Sequence, residues 1–422
     1  MIETLYVLDV DIFIDIGGAG KASYDIMIGL TSYCKIIFIP KYAAYDKIKN
    51  KHDKMLFIEH MHYLRELGIY VPDILLELTQ EIGVKYNTYL EIISKIIEED
   101  STIFDLNYFP ELEPNDIKSV IKSFFYDSEI MFLKRTKKCK TIALLQTLDN
   151  RPVNSHTYFA LKSFTAYQIF NLKLLFKSFY RNIKDPISTK HLIKSVDLIL
   201  VYSIGLLKSL GQYKEVNKFK VLSIGNTIDE NINHDVKDKS NYIIFYSRLI
   251  YEKGIFDLLE IFKIILKTTG TRLIITGKFP DRKIEQDFFK KAKKYNLDGM
   301  LEYKGFVEIR ELKRLISNAK VFLYPTHYDS FPYAILEAIS SFTVVITYSL
   351  PSILNSYESL QCVYTINEFD INNMAKKTIE VLNLSNDAYL EIFNDNKIKE
   401  FINKHMDKKS SAKEIYKFIS EL

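Results

Sequence analysis

The sequence predicts an α/β protein built from two doubly wound, Rossmann-like domains, and three observations lead there. Short apolar runs alternate with longer stretches of helical spacing in the first half of the chain, at 4–10, 35–40, 141–146 and 197–202, which argues for parallel βαβ units. A second series of the same kind runs through 242–249, 271–276, 301–303, 321–324 and 344–347. Between them, 228–240 is polar, rich in Asn, Asp and Lys, and without periodicity, so it reads as a linker. At 422 residues and 47% hydrophobic composition the chain can bury two cores.

The first run carries Glu3 and Asp9 and is followed by Asp11, where a secretory leader would be basic and then unbroken in its apolar stretch; it reads as a first strand. Gly17, Gly18 and Gly20 then form a loop before a helix over 22–30. Glycines there let backbone approach a phosphate or an acceptor, or simply make a tight strand-to-helix turn. Asp9-Val10-Asp11 has the spacing of a metal-binding Asp pair, but its place at a strand end favours a loop role. Residues 164–184 put Leu172, Phe176, Phe179 and Ile183 on one stripe and Lys173, Lys177, Arg181 and Lys184 on another. Such a helix reads first as an ordinary domain helix with its lysines solvated, and also fits an anionic bilayer surface. The apolar stretch 198–207 is far shorter than the ~20 residues a membrane span needs.

In the second series the strand at 242–249 ends at Arg248, and a helix follows over 254–266, so Arg248 and Lys253 fall in the connection. The strand at 321–324 is broken by Pro325 and Thr326, and Pro332 suits a first helical position. Asp329, Ser330, Phe331 and Tyr333 surround that helix start, and Glu337 lies two turns in. Ligands of parallel α/β sheets bind at the carboxyl ends of the strands, where helix N-termini present N–H groups. Two cations and a helix start on that edge suit a diphosphate.

Composition narrows the function classes. The net charge of +4 comes from 57 basic and 53 acidic residues, which leaves no general nucleic-acid footprint. Cys34, Cys139 and Cys362 are odd in number and unclustered, fitting neither a disulfide framework nor a zinc site, so a reducing, cytoplasmic compartment is expected. A nicotinamide-dependent oxidoreductase is disfavoured because the glycine loop lacks Gly-x-Gly-x-x-Gly.

Arg248-Leu249-x-x-x-Lys253-Gly254, then acidic Asp329, seven residues and Glu337-Ala338, resembles the retaining GT-B glycosyltransferases of family four, the glycosyl transferases group 1 type. Ile16-Gly17-Gly18-Ala19-Gly20, Ile224-Gly225-Asn226-Thr227-Ile228-Asp229 and Lys304-Gly305-Phe306-Val307 are similar to further motifs of that family. The resemblance implies a GT-B fold, with two Rossmann-like domains facing a central cleft. It assigns 1–227 to the acceptor side and 241–404 to the nucleotide sugar, and has 405–422 return to the first domain. It also implies that Arg248 and Lys253 hold the leaving diphosphate, Glu337 binds the donor ribose, Asp329 contacts the transferred sugar, and Gly305, Phe306 and Val307 receive the base. Neither metal nor cofactor is then required beyond the nucleoside-diphosphate sugar, and the acceptor would be a glycan or a lipid-linked molecule at the inner face of the cell membrane.

Four departures from the family pattern stand out. Asp329 replaces its usual Glu. Gln146, Thr147 and Asp149 stand at the end of the 141–146 strand where a His is common, and no His is nearer than His156. Phe342 replaces a common Gly, and Ser349-Leu350-Pro351-Ser352 lacks a glycine pair; both are expected to narrow the donor pocket. The first two keep open a second reading, a non-catalytic relative that binds nucleotide sugar within a glycosylation complex. His327 reads as a loop or packing residue.

Overall fold

The computed structural model describes residues 2–9, 18–46, 48–80, 83–106, 129–145, 193, 196–209, 217–228 and 239–422. Gly17, Asp11, the segment after residue 145 and all of 164–184 lie outside the described residues. The chain forms two compact units, Met1–Thr227 with Asp407–Leu422, and Ile228–Met406.

The first unit holds a six-stranded parallel sheet of order β2-β1-β3-β4-β5-β6, with β1 Thr4–Asp9, β2 Lys35–Pro40, β3 Thr102–Asp105, β4 Lys140–Leu145, β5 Leu198–Val201 and β6 Phe219–Val221. The central strands are largely apolar, with β5 buried throughout and β1 and β4 buried beyond their first residues, as a sheet covered on both faces requires. Gly18 and Gly20 open the helix Gly18–Leu30 rather than forming a loop. The helix Lys408–Ser420 lies against it. A Cβ on Gly29 would sit 2.6 Å from the Cβ of Ala412, so the two backbones meet with no room for a side chain. Lys408 Nζ pairs with Asp25 at 2.8 Å, and the Glu414 carboxylate accepts from Ser223 N at 2.9 Å and from its Oγ at 2.9 Å.

The second unit holds β7 Ser240–Tyr246, β8 Arg272–Thr276, β9 Leu301–Tyr303, β10 Ala319–Tyr324, β11 Val344–Tyr348 and β12 Val363–Ile366, all parallel, in the order β12-β11-β10-β7-β8-β9. The strand order reverses between β7 and β10, so the connections leaving these two neighbours diverge and open a crevice at their carboxyl ends. That places 247–254 beside 325–333.

β3, β6 and β12 escape a periodicity reading. β3 and β12 are four residues long, and β6 is a three-residue edge strand whose centre is the exposed Lys220. β7 ends at Tyr246, earlier than its apolar run, and Arg248 therefore stands in the turn beyond the strand. Among the described residues no helix is long and apolar enough to cross a membrane.

Candidate functional site

Lys253 is the end of a single 3₁₀ turn, Tyr251–Lys253, which Gly254 closes in the left-handed region at φ 71°. A Cβ at Gly254 would lie 1.8 Å from the Pro325 carbonyl oxygen, so only glycine lets the β7 connection touch the β10 connection. The helix Ile255–Ile265 starts directly afterwards and is apolar on almost every face. Lys253 is thereby turned back, buried, toward β10.

Its ammonium donates to Asp329 Oδ2 at 2.7 Å and to the Tyr328 carbonyl at 2.9 Å. Asp329 Oδ2 also accepts the Tyr324 hydroxyl at 2.6 Å, while Ser352 Oγ donates to the Asp329 carbonyl at 2.6 Å. Asp329 is therefore held from several sides and does not cap a helix. Burial lowers the Lys253 pKa, the neighbouring Asp329 carboxylate opposes that fall, and the Arg248 charge adds to it. Burial, and then the Asp329 charge, push the Tyr324 hydroxyl well above its ordinary value, so it stays a proton donor. Arg248 is exposed and makes no ion pair with a described residue.

The helix Tyr333–Ser340 begins one residue after Pro332, which is its N-cap rather than its first residue. Ser330, Phe331, Pro332 and Tyr333 are buried and form a tight entry to it. Tyr246, the last residue of β7, donates to the Ala334 carbonyl at 2.5 Å and so fixes the helix start to the β7 end. Glu337 is the fifth helical residue, not two full turns in, and is half-buried; burial and then the Glu337 charge raise the Tyr246 hydroxyl. Gly305, at φ 67°, follows β9, and its carbonyl accepts from Gly277 N at 2.8 Å. Phe306 beyond it is 64% exposed, with Lys278 Nζ 4.7 Å from its ring centroid. Val307 is half-buried.

The structure thus brings Arg248, Lys253, Asp329, Glu337 and the 330–333 entry to one carboxyl edge of the second sheet, with Gly305, Phe306 and Val307 on the same edge at β9. Gly18 and Gly20 belong to the first unit. Tyr324 and Ser352, which hold Asp329, escaped sequence reasoning, although Ser352 lies within the segment noted for lacking glycines. Phe342 does not narrow this site: it follows the far end of the Glu337 helix and lies before β11, at the opposite edge of the sheet, against Phe393. The chain takes φ 56° there, the left-handed turn for which glycine is the easy choice.

Residues 227–400 match the family model described as Glycosyl transferases group 1. That match falls almost entirely within the second unit. An uncharacterized glycosyltransferase of Methanocaldococcus jannaschii is 29% identical over 28% of this chain and 30% of its own length. The capsular polysaccharide biosynthesis glycosyltransferase CapM of Staphylococcus aureus is 24% identical over 64% of this chain and 72% of its own. An uncharacterized glycosyltransferase of Bacillus subtilis is matched over 41% of its length, so two of these three curated relatives are spanned for less than half. Among solved structures, Anabaena HepE in complex with UDP and glucose has TM-score 0.67 at 12% identity, with both chains covered in full. A Staphylococcus aureus TarM mutant in complex with UDP and sugar ligands has TM-score 0.64 at 11% identity, covering 99% of this chain and 100% of its own. The architecture is GT-B.

Proposed function

We propose that the protein is a retaining hexosyltransferase that moves a sugar from a nucleoside-diphosphate sugar to an acceptor hydroxyl without a metal ion. The observation that carries this reading is the Lys253–Asp329 pair, 2.7 Å apart on two adjacent β-connections with the exposed Arg248 beside it. Two of the three ammonium donors of Lys253 are used by Asp329 and the Tyr328 carbonyl, and the third is available to a phosphate oxygen. Arg248 supplies a forked second cation, and the first turn of Tyr333–Ser340 supplies backbone donors. Together they stabilise the charge that grows on the diphosphate as the glycosyl bond breaks. In the reaction the acceptor oxygen bonds to the anomeric carbon on the face the phosphate leaves, and its proton passes to the departing phosphate oxygen. Glu337 accepts the ribose hydroxyls, Asp329 faces the sugar, and Gly305, Phe306 and Val307 receive the base. UDP in the structures of HepE and TarM supports a nucleotide of this class.

A glycan or lipid-linked acceptor and a cytoplasmic place at the inner membrane face belong to the same proposal, with 164–184 as the contact. The test is turnover of labelled nucleoside-diphosphate sugars with and without chelator, with the anomer of the product read by NMR. Turnover that survives chelation with the configuration kept is expected; a strict Mg²⁺ or Mn²⁺ requirement, or inversion, would overturn it. Co-sedimentation with anionic liposomes, lost in a variant with Lys173, Lys177 and Arg181 changed to Glu, tests the membrane contact.

A second reading, a nucleotide-sugar-binding relative without turnover, is favoured by one observation: the shortened Asp329 carboxylate is already engaged by Lys253 and Tyr324. Binding of UDP without hydrolysis or transfer for any donor selects it.

A further inference from the structure

His327, two residues before Asp329, is buried to 1% exposure. Its Nε2 lies 3.0 Å from Asp257 Oδ2 and its Nδ1 2.7 Å from Glu368 Oε1. A neutral imidazole has one N–H and can turn it to only one of these carboxylates; an imidazolium presents an N–H and positive charge to both. The ring is enclosed by Tyr348 and Phe369, with centroids at 5.0 and 4.5 Å, and the Tyr348 hydroxyl donates to the same Asp257 oxygen.

The connections matter more than the burial. Asp257 is in the first turn of the helix that follows Lys253 and Gly254. The backbone N–H of His327 donates to the Glu252 carbonyl at 2.9 Å, next to Lys253. Glu368 follows β12. One imidazole thus ties the connection bearing Lys253, the connection bearing Asp329 and the segment after β12.

We propose that His327, as an imidazolium clamped between Asp257 and Glu368, is the positioning residue that holds Lys253 against Asp329. What the positioned pair does rests on the glycosyltransferase reading, whereas the positioning belongs to the ligand-free protein. Burial by itself lowers the imidazole pKa, but Asp257 and then Glu368 outweigh it and raise it. The raised value favours the charged clamp, which is released as pH rises through it. The charged groups around it are Asp257 from the helix Ile255–Ile265, Glu368 after β12, Lys291 acting on Asp257, and Asp370 acting on Tyr348.

The test reads Lys253 directly, through its acetylation by acetic anhydride in the folded, ligand-free protein. Labelling is followed by mass spectrometry between about pH 6 and pH 9 and divided by that of the exposed Lys399. The wild type is expected to protect Lys253 at the acid end and to lose protection as His327 deprotonates. In His327→Gln the relative labelling should rise about tenfold at the acid end and lose its pH step. Glu368→Gln removes one carboxylate at the edge of the cluster and should move the step to lower pH, an effect a merely structural role would not produce. It decides the matter if His327→Gln fails to fold. A folded His327→Gln variant that protects Lys253 as the wild type does, or an unmoved step in Glu368→Gln, overturns the proposal. UDP binding forms a separate arm: a wild type that ignores UDP removes the functional reading while the labelling still decides the clamp.

Discussion

The ring of Phe331 lies nearly parallel to the imidazole of His405, with centroids 5.5 Å apart and 20° between the planes. Phe331 follows Asp329 by two residues, and His405 is near the end of the second unit. The His405 carbonyl accepts from Ile228 N at 2.9 Å, so the first and nearly last residues of that unit are bonded to each other beneath the candidate site. Two buried histidines therefore flank the Asp329 segment, and their surroundings differ in sign. His327 faces two carboxylates. His405 faces aromatic rings and, through Nδ1 at 2.8 Å, the Phe401 carbonyl.

Burial lowers the His405 pKa to about 4, against which the Phe401 hydrogen bond works. Its folded value is below the unfolded value of about 6.5, so the unfolded chain binds the extra proton between the two. Stability from this group is present above the unfolded value and is lost as pH falls toward the folded one, by about 3 kcal/mol in all. Chemical denaturation in that window should show the slope, and His405→Gln should flatten it.

Arg248→Ala and Lys253→Ala should each cut turnover by on the order of 10² to 10³. They should part in stability. Arg248 is exposed, so its loss leaves the melting temperature unchanged, whereas loss of Lys253 strands a largely buried Asp329 and lowers it. Kinetics with UDP-sugars and thermal melts on the same preparations check both halves.

Gly254→Ala should destabilise the second unit by more than about 1–2 kcal/mol. The added methyl meets the Pro325 carbonyl oxygen, and the backbone at φ 71° disfavours any side chain. Separation of the two connections should also weaken UDP binding, measurable by calorimetry in the folded fraction.

Phe342→Gly should leave the KM for the donor unchanged, because Phe342 lies at the sheet edge away from Asp329. Relief of the left-handed strain, roughly 1–2 kcal/mol, offsets the lost packing against Phe393, so stability moves little. A β-branched Phe342→Val loses the ring and keeps the strain, and should melt lower.

The two-domain α/β class was legible because β7, β10 and β11 are buried apolar runs bounded by sharp turn signals. The edge positions of Arg248, Lys253 and Asp329 followed from those turns. What the sequence could not disclose is that Lys253 and Asp329 are each other's partners, since one lies after β7 and the other after β10 and only sheet order makes them neighbours. The same holds for Tyr324 and Ser352 on Asp329, and for Asp257 and Glu368 on His327: each is an ordinary polar residue until the fold brings it in. Gly18 and Gly20 looked like a loop because glycine disfavours helix interiors, yet they occupy a first turn, where that cost is small.

The helix Lys408–Ser420 completes the first unit but is encoded after the whole of the second. A chain made amino end first exposes the surface beside Gly29 throughout synthesis of the intervening residues, until Ala412 arrives to cover it. Maturation of the first unit is therefore held open until the last helix is made, and a truncation before Asp407 would leave the surface beside Gly29 uncovered.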